Sequence, residues 1–383
     1  MSLVDDVAAL GPDIAGRADA MEAAGRLDPE LARSLAGLGV FRMAVPSAIG
    51  GLELPVADQL RVMEAAARHD GSTGWCVMIG ATTAVLSAWL PEATARQIYG
   101  TDPLVITGGA YAPNGRAVVV DGGFEVTGRW EWGSGSSHCS WLLGGALVVD
   151  GDGELVTDDG VPMARLCFAP ADLVEVVPNW DVLGMRGTGS NDLRMEAVVV
   201  PDEHTVSLTA DRPWAGGPLY RFPPFGLLAL GIAAVSLGVG RAAIDAVVDV
   251  ATSKTPTGSR RALGDRSTVR AELARCEAQV RAARALLFTS VDDAWGAAVA
   301  GRAPDLAARA SLRLAATHVA VTVADVTARL HRLTGGTGVR HGTAIERCFR
   351  DAHVATAHLL VSANLFETVG TVLLGGEPGF LEL

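Results

Sequence analysis

Between Gly128 and Trp141 the chain carries residue types that together suit a flat, polar, aromatic ligand. The segment reads G-R-W-E-W-G-S-G-S-S-H-C-S-W. Trp130 and Trp132 supply rigid apolar walls, and the glycines let the backbone approach a ligand closely. The hydroxyl group of Ser134 can donate to a ring nitrogen or accept from it. On composition alone, an ordinary strand followed by a Gly-Ser turn explains the segment equally well.

A glycine pair, an arginine and a histidine in other segments are further candidates for chemistry. Gly335 and Gly336 allow backbone amides to face a phosphate group. Arg186, in the sequence L-G-M-R-G-T-G-S, either counters negative charge on a ligand or braces its own loop through carbonyl groups.

His358, with an ordinary pKa of about 6.5, suits proton exchange at neutral pH. A hydrogen-bonded core histidine is the alternative.

Charge and cysteine spacing exclude several classes of function. The formal net charge of −12 argues against nucleic acid, whose binders present a basic surface, and gives no indication of a membrane partner. The five cysteines are scattered singly and the histidines do not cluster, so no metal site is expected. Buried thiols and the absence of a visible export signal predict a cytoplasmic protein. The longest apolar run, Phe225 to Val239, is too short to span a bilayer and predicts a buried core helix.

The elements that must position these residues fall into three predicted domains and an α+β fold. Residues 1–104 are predicted to be helical, with a helix start at Asp28-Pro29-Glu30 that combines a cap, a proline and an acid. Residues 105–212 contain many short β-rich runs separated by Gly- and Pro-containing turns, which predict a small sandwich or barrel.

The third predicted domain, residues 213–383, is helical again. Its long stretches are rich in Ala, Leu, Val and Arg and nearly free of proline, which predicts a four-helix bundle. The four predicted helices are Leu227 to Ala251, Ser267 to Ala294, Ala303 to Thr334 and Thr343 to Leu374.

This order of domains, together with the three segments, resembles the acyl-CoA dehydrogenase fold superfamily of flavoproteins. In register, Ser134 stands where a hydroxyl group of the family hydrogen-bonds flavin N5. The segments L-G-M-R-G-T-G-S and G-G-T-G are similar to the family's loop before a strand and to its cofactor-diphosphate glycines. The cofactor-binding residues that the resemblance implies are Trp132, Ser134, Gly135, Arg186, Thr188, Ser190, Gly335 and Gly336.

The sequence departs from the dehydrogenases at the catalytic base. Where those enzymes hold a glutamate shortly after Arg350-Asp351-Ala352, this chain has Leu359, and the alternative position on the first bundle helix also offers no glutamate between residues 227 and 250. A leucine cannot remove the α-proton of a thioester. Ordinary dehydrogenation therefore lacks its base.

The sequence is more similar to the group D branch of the same fold, the oxygenase components of two-component flavin-dependent monooxygenases. That branch has Trp-x-Trp-x-Ser-Gly, Gly-Met-Arg-Gly-Thr-Gly-Ser and a histidine in the place of His358, and all three are present here. The resemblance implies reduced FMN or FAD, delivered by a separate NAD(P)H:flavin reductase. It also implies oxygen chemistry through a C4a-hydroperoxyflavin, hydroxylation of an aromatic or polycyclic small molecule, and a homodimer or homotetramer.

Site roles follow from this resemblance. His358 and Ser134 are the expected catalytic residues, and the expected substrate pocket consists of Trp75, Thr82, Trp130 and Leu359. Two other functions stay open: an atypical FAD-dependent acyl-CoA dehydrogenase with an unidentified base, and a catalytically silent oligomeric scaffold. Tight binding of oxidised FAD, together with dye reduction by acyl-CoA, would identify the dehydrogenase. Failure to bind any flavin would identify the scaffold.

Overall fold

The computed structural model of the protein describes residues 2–379 and begins with a helical domain. Asp28 caps the third helix by accepting hydrogen bonds from the backbone N–H groups of Glu30 and Leu31, with Pro29 at the first helical position, so the predicted helix start is confirmed. The helices are α1 (Leu3–Ala9), α2 (Gly11–Ala24), α3 (Pro29–Leu38), α4 (Val56–His69), α5 (Gly71–Ala84) and α6 (Glu92–Ala95).

The middle of the chain forms one seven-stranded sheet and a separate two-stranded ribbon. The sheet order is β7-β8-β2-β1-β3-β6-β9, and β1 pairs in parallel with β3 while the other neighbours are antiparallel. Its ends stay open at β7 and β9, so the barrel among the predicted alternatives does not close. The strands are β1 (Thr107–Val120), β2 (Gly123–Trp130), β3 (Trp141–Val149), β4 (Thr157–Asp158), β5 (Val161–Pro162), β6 (Ala164–Pro170), β7 (Glu175–Val177), β8 (Asp192–Pro201) and β9 (Thr205–Val206).

Trp130 lies in the core of this sheet domain and not in a ligand pocket. Its side chain is fully buried, and its indole N–H donates to the carbonyl oxygen of Gly145 at 2.7 Å. A Cβ atom at Gly115, Gly128 or Gly144 would lie 2.4 to 2.7 Å from the indole ring, so these glycines make room for the tryptophan. The expectation that Trp130 lines the substrate pocket is therefore wrong, because the small residues around it accommodate its own ring.

Up to residue 379, the C-terminal domain contains three long α-helices and two shorter ones. They are α7 (Pro224–Ser253), α8 (Ser267–Val299), α9 (Leu306–Thr334), α10 (Ala344–Ala355) and α11 (Leu365–Leu373). Helix α7 is long and apolar enough to cross a membrane by length and composition, but 89% of its most apolar window is buried. It packs against α4, α5 and α9, and the prediction of a buried core helix is confirmed.

The predicted fourth helix of the bundle is interrupted between α10 and α11. Two side chains take up the backbone groups of Leu360 that a continuous helix would bond internally. Arg313 of α9 donates to the carbonyl oxygen of Leu360 at 2.7 Å, and the N–H of Leu360 donates to Nδ1 of His358 at 3.2 Å. His358 therefore lies in a turn rather than on a helix.

The predicted domain boundaries, at residues 104 and 212, both lie in segments between elements. The first is between α6 and β1, and the second is between β9 and α7. The order of helices, sheet and helices agrees with the predicted α+β fold.

Candidate active site

Two loops meet beside helix α5 and form the centre of the site. We call residues 131–140, after β2, the serine loop, and residues 182–191, before β8, the arginine loop. The N–H of Gly133 donates to the carbonyl oxygen of Asn191, and the N–H of Gly135 donates to that of Thr188, both at 2.9 Å. Gly135 has φ +72°, a left-handed conformation that glycine adopts at no steric cost. The backbone itself therefore fixes the two loops together.

A series of buried, hydrogen-bonded hydroxyl groups, which we call the hydroxyl chain, runs across this junction. Trp75 Nε1 donates to Ser134 Oγ at 3.1 Å, and Ser134 Oγ lies 2.7 Å from Ser190 Oγ. Ser190 Oγ in turn lies 2.7 Å from Thr188 Oγ1, which donates to the carbonyl oxygen of Met185 at 2.7 Å. The four side chains of this series, and that of Met185, are buried. The sequence predicted Ser134, Thr188 and Ser190 as site residues, and the structure brings them into one chain.

The hydrogen bond from Thr188 to the Met185 carbonyl, at one end of the hydroxyl chain, determines the direction of every other hydrogen bond in it. A hydroxyl group has one proton to donate and two lone pairs. Thr188 gives its proton to the Met185 carbonyl, so Ser190 must donate to Thr188, and Ser134 must then donate to Ser190. Ser134 also accepts from Trp75, which leaves its oxygen with one free lone pair and no free proton. The site therefore presents a hydrogen-bond acceptor, which matches an N–H group on a ligand.

His358 packs against Trp75, with 5.9 Å between the ring centroids. Burial, and secondly the positive charge of Arg313, lower the pKa of His358 to about 4. The ring is therefore neutral at pH 7, which departs from the ordinary pKa expected from the sequence. Because the N–H of Leu360 donates to Nδ1, the neutral ring carries its proton on Nε2. His358 offers a donor there.

Three other predicted site residues make no hydrogen bond to the hydroxyl chain. The hydroxyl group of Thr82 is buried and donates to the carbonyl oxygen of Met78 at 2.8 Å, inside its own helix. Trp132 and Leu359 are each 65% exposed in the single chain. Trp132 has φ +65°, so the chain leaves the extended conformation of β2 immediately after Trp130. Trp130 and Trp132 thus do not form the paired walls expected from their spacing.

Arg186 holds the arginine loop to the helical domain. Its Nη1 donates to the carbonyl oxygen of Val182 at 2.9 Å, and its Nε lies 3.7 Å from Glu22 Oε1 on α2. The sequence left two roles open for Arg186, countering the charge of a ligand and bracing its own loop. These contacts agree with the bracing role.

Gly335 and Gly336 form a short turn at the end of α9. Lys254 donates to the Thr334 carbonyl oxygen at 2.7 Å and to Thr337 Oγ1 at 2.8 Å, which anchors this turn to the end of α7. No hydrogen bond or ion pair within residues 2–379 joins the turn to the serine loop. Both glycines lie at the surface of the single chain.

A buried ionic cluster on α10 supports the arginine loop, and the sequence did not predict this role. Asp351 Oδ1 accepts from the backbone N–H of Met185 at 2.5 Å, and Arg350 Nη1 donates to the carbonyl oxygen of Leu183 at 2.8 Å. Arg350 also pairs with Glu346 at 2.5 Å and with Glu22 at 2.8 Å. The Arg350-Asp351 pair was visible as a motif, but its partners are distant in the sequence.

Asp351 is protonated more readily than an ordinary aspartic acid. Complete burial, and secondly the charge of Asp70, raise its pKa to about 7. Asp70 accepts two hydrogen bonds from Thr73, one from the backbone N–H at 2.7 Å and one from the hydroxyl group at 2.8 Å. Because these bonds favour the charged form of Asp70, its negative charge favours the protonated form of Asp351.

The donor set fits a reduced flavin. Nowhere in the described part of the chain do three His, Cys, Asp or Glu side chains gather at metal-binding distance. The free lone pair of Ser134 instead matches a ring N–H, which reduced flavin carries at N5 and oxidised flavin lacks.

Comparison with known proteins places the chain among flavoenzymes. The acyl-CoA dehydrogenase N-terminal and C-terminal domain families match residues 8–97 and 230–363. An indole-3-acetate monooxygenase of Pseudomonas putida is 32% identical over 89% of this chain and 85% of that protein. The flavin-dependent monooxygenase oxygenase subunit HsaA of Mycobacterium tuberculosis is 30% identical over 91% of this chain and 88% of that subunit.

The fold agrees with these sequence relationships. The crystal structure of 3-HSA hydroxylase from Rhodococcus sp. RHA1 superposes with a TM-score of 0.91 at 26% identity, covering 100% of this chain and 99% of that one. The predicted fold and the predicted resemblance to monooxygenase oxygenase components are both confirmed.

Proposed function

Since the chain belongs to the acyl-CoA dehydrogenase family and, within it, to the flavin-dependent monooxygenases, we propose that it hydroxylates an aromatic small molecule with reduced FMN or FAD from a separate reductase. The observation that carries this proposal is the buried hydroxyl chain that leaves Ser134 as an acceptor for a ring N–H. An atypical dehydrogenase is disfavoured because Leu359 stands in the register of the base. A silent scaffold is disfavoured because its function would not need an oriented chain of buried hydroxyls.

In this proposal the chain's residues hold one proton and keep water away. Reduced flavin supplies the electrons that activate molecular oxygen. Ser134 Oγ would accept the N–H that reduced flavin carries at N5, and its hydrogen bonds to Trp75 and Ser190 keep its oxygen from turning away. Trp75 both donates to Ser134 and, with the buried face of α5, walls the site against solvent. Water exclusion protects a reactive oxygen species from unproductive loss.

We assign His358 the role of a neutral donor rather than an acid in its charged form. Its Nε2–H suits a hydrogen bond to the reacting oxygen or to an oxygen atom of the substrate. The imidazolium form would require a pKa near the working pH, whereas burial and Arg313 lower the pKa to about 4.

This assignment predicts a flat pH profile. Between pH 6 and 8 His358 stays neutral, so the ratio of hydroxylated product to oxygen consumed is expected to stay constant. It should fall only as the pH approaches 4. If the imidazolium were the working form, the ratio would drop about tenfold per pH unit above the ordinary pKa of about 6.5. His358→Asn should lower the ratio, whereas His353→Asn, on α10 with Nδ1 bonded to the Phe349 carbonyl oxygen, should not.

The proposed reaction is tested directly by mixing the protein with chemically reduced FMN or FAD, oxygen and a panel of aromatic compounds. We expect a hydroxylated product whose new oxygen atom comes from labelled molecular oxygen, and binding of reduced flavin that is tighter than binding of oxidised flavin. The same experiment identifies the preferred flavin. Tight binding of oxidised FAD together with reduction by acyl-CoA would instead establish the dehydrogenase alternative.

We further propose a cytoplasmic homodimer or homotetramer built through the C-terminal helices. Large apolar side chains at their ends support this, since Leu373 is 78% exposed and Leu374 is 91% exposed in the single chain. Such surfaces commonly lie at subunit contacts. Light scattering on the purified protein measures the oligomeric state.

A further inference from the structure

Helix α5 carries a row of three side chains that begins in the candidate active site. Trp75, Ile79 and Thr83 are spaced by four residues, which places them within one stripe of the helix surface. Trp75 contacts Ser134 and His358 at the near end of this row. Because an α-helix rises about 1.5 Å per residue, Thr83 lies about 12 Å further along the helix axis than Trp75.

The middle of the row keeps an accessible surface. Ile79 is the only residue of α5 that is not buried. A Cβ atom at Gly108, near the start of β1, would lie 3.9 Å from Cγ2 of Ile79 and 3.6 Å from the carbonyl oxygen of Ser134. The accessible side chain of Ile79 therefore borders a space between α5, β1 and the serine loop, where Gly108 contributes no side chain.

A pair of hydroxyl groups lies at the far end of the row. The hydroxyl group of Thr83 hydrogen-bonds the phenol group of Tyr111, on β1. The ring of Tyr111 meets the ring of Phe225, at the start of α7, edge to face with 5.7 Å between the centroids. Tyr111 and Phe225 are both partly exposed. The far end of the row is thus accessible too, and aromatic rings surround its hydroxyl groups.

A bulge in β1 directs Tyr111 to this position. The pairing of β1 with β3 shifts its register between Ala110 and Gly115. A Cβ atom at Gly145 of β3 would lie 2.3 Å from the carbonyl oxygen of Tyr111, so the bulge packs against a residue without a side chain. Bulges beside active sites commonly redirect a side chain, and this one brings Tyr111 to Thr83.

The hydroxyl pair leaves one proton free. Two hydroxyl groups carry two protons, their mutual bond uses one, and no other hydrogen bond within residues 2–379 engages either group. Thr83 is buried whereas Tyr111 is partly exposed, so Tyr111 presents the free proton. Burial, and secondly the nearby Tyr99, raise the pKa of Tyr111. The pair therefore offers a neutral O–H donor at pH 7.

We propose that Tyr111 determines substrate specificity by donating a hydrogen bond to a neutral hydroxyl or carbonyl oxygen of the substrate. The inference rests on the proposed function, because it concerns the molecule that is hydroxylated beside His358. The aromatic part of the substrate lies along Ile79, and the oxygen atom lies at the end away from Trp75. An uncharged acceptor fits because placing a carboxylate among apolar rings costs far more than placing a hydroxyl group there. The competing interpretation is that the pair only joins β1 to α5.

The test compares probes that match in size and differ in one oxygen atom. The probes are indoles with a hydroxyl or a methyl group at each position of the benzene ring, and calorimetry measures their binding in the absence of flavin. We expect the parent to bind at least one hydroxyindole about tenfold more tightly than the matching methylindole, as one buried hydrogen bond allows. Tyr111→Phe should abolish this preference by weakening the binding of the hydroxyindole alone. Thr83→Val, which leaves the phenol without its partner, should reduce it.

Tyr99 provides the matched control. It is also a tyrosine whose hydroxyl group bonds a threonine, at 3.1 Å from Thr107 Oγ1, but only 1% of it is exposed. Tyr99→Phe removes the same atom from a position that a ligand does not reach, and should bind both probes like the parent.

Three results overturn the inference. The first is a parent without any preference between hydroxyl and methyl probes, or without binding of either. The second is a Tyr111→Phe variant that keeps the preference or loses both probes equally, which indicates a joining role alone. The third is an equal loss of preference in Tyr99→Phe.

The same probes separate this inference from the proposed function. If aromatic compounds are hydroxylated with reduced flavin and oxygen but the preference is absent, the role of Tyr111 fails and the proposed function stands. If the preference is present and depends on Tyr111 but nothing is hydroxylated, the proposed function fails instead.

Discussion

Ser134→Ala is expected to lower the yield of hydroxylated product per reduced flavin by about 10- to 100-fold, with the lost oxygen appearing as hydrogen peroxide. The substitution removes the acceptor for the flavin N–H. Loss of one partner in a buried hydrogen bond costs about 1–3 kcal/mol, which corresponds to about 5- to 150-fold in a rate ratio. Parallel assays of product and peroxide measure the effect.

The serine loop supplies its own control for this experiment. Ser136 lies two residues after Ser134, and its Oγ atom is also buried but has no hydrogen-bond partner within residues 2–379. Ser136→Ala therefore removes the same atoms from the same loop without touching the hydroxyl chain, and should leave the yield near that of the parent. Ser134→Thr retains the hydroxyl group and should retain most of the yield. Equal uncoupling in both alanine variants would show that the loop, and not its acceptor, controls the reaction.

The sequence predicted the domain order and part of the site because those features depend on local patterns. Helix starts and strand runs are encoded within a few residues, as Asp28-Pro29-Glu30 illustrates. The hydroxyl residues Ser134 and Ser190 were also predicted, through the resemblance. Their connection was not, because it depends on a 2.7 Å contact between residues 56 positions apart and on a tryptophan from α5.

The errors have a common physical cause. The alternation of tryptophan and small residues suggested that Trp130 faces a ligand, but glycines on neighbouring strands hold its ring in the sheet core. The apolar segment from Thr343 to Leu374 suggested a continuous helix, but Arg313 and His358 bond the backbone of Leu360 and interrupt it. In both places a contact distant in the sequence decides between two structures that the local pattern permits.

The buried acid Asp351 links the stability of the arginine loop to pH. Its pKa is raised from the ordinary 3.8 to about 7 in the folded protein, so the folded state binds a proton more tightly than the unfolded state does. The resulting stabilisation is fully present below about pH 4 and is lost as the pH rises to about 7. We therefore expect the parent to lose stability over this range through Asp351.

Asp351→Asn should remove this dependence, and Asp351→Ala should weaken the loop itself. Asparagine keeps the acceptor for the Met185 N–H and resembles the protonated acid. Near pH 4 the Asp351→Asn variant should therefore unfold at the same denaturant concentration as the parent. Near pH 8 it should unfold at a higher denaturant concentration than the parent. Alanine leaves the buried Met185 N–H unpaired, which costs about 1–3 kcal/mol. Because the carbonyl group of Met185 ends the hydroxyl chain, the alanine variant should also bind reduced flavin more weakly. Urea unfolding and flavin titration at both pH values measure these effects, and identical pH slopes in the parent and Asp351→Asn would show that Asp351 does not hold the proton.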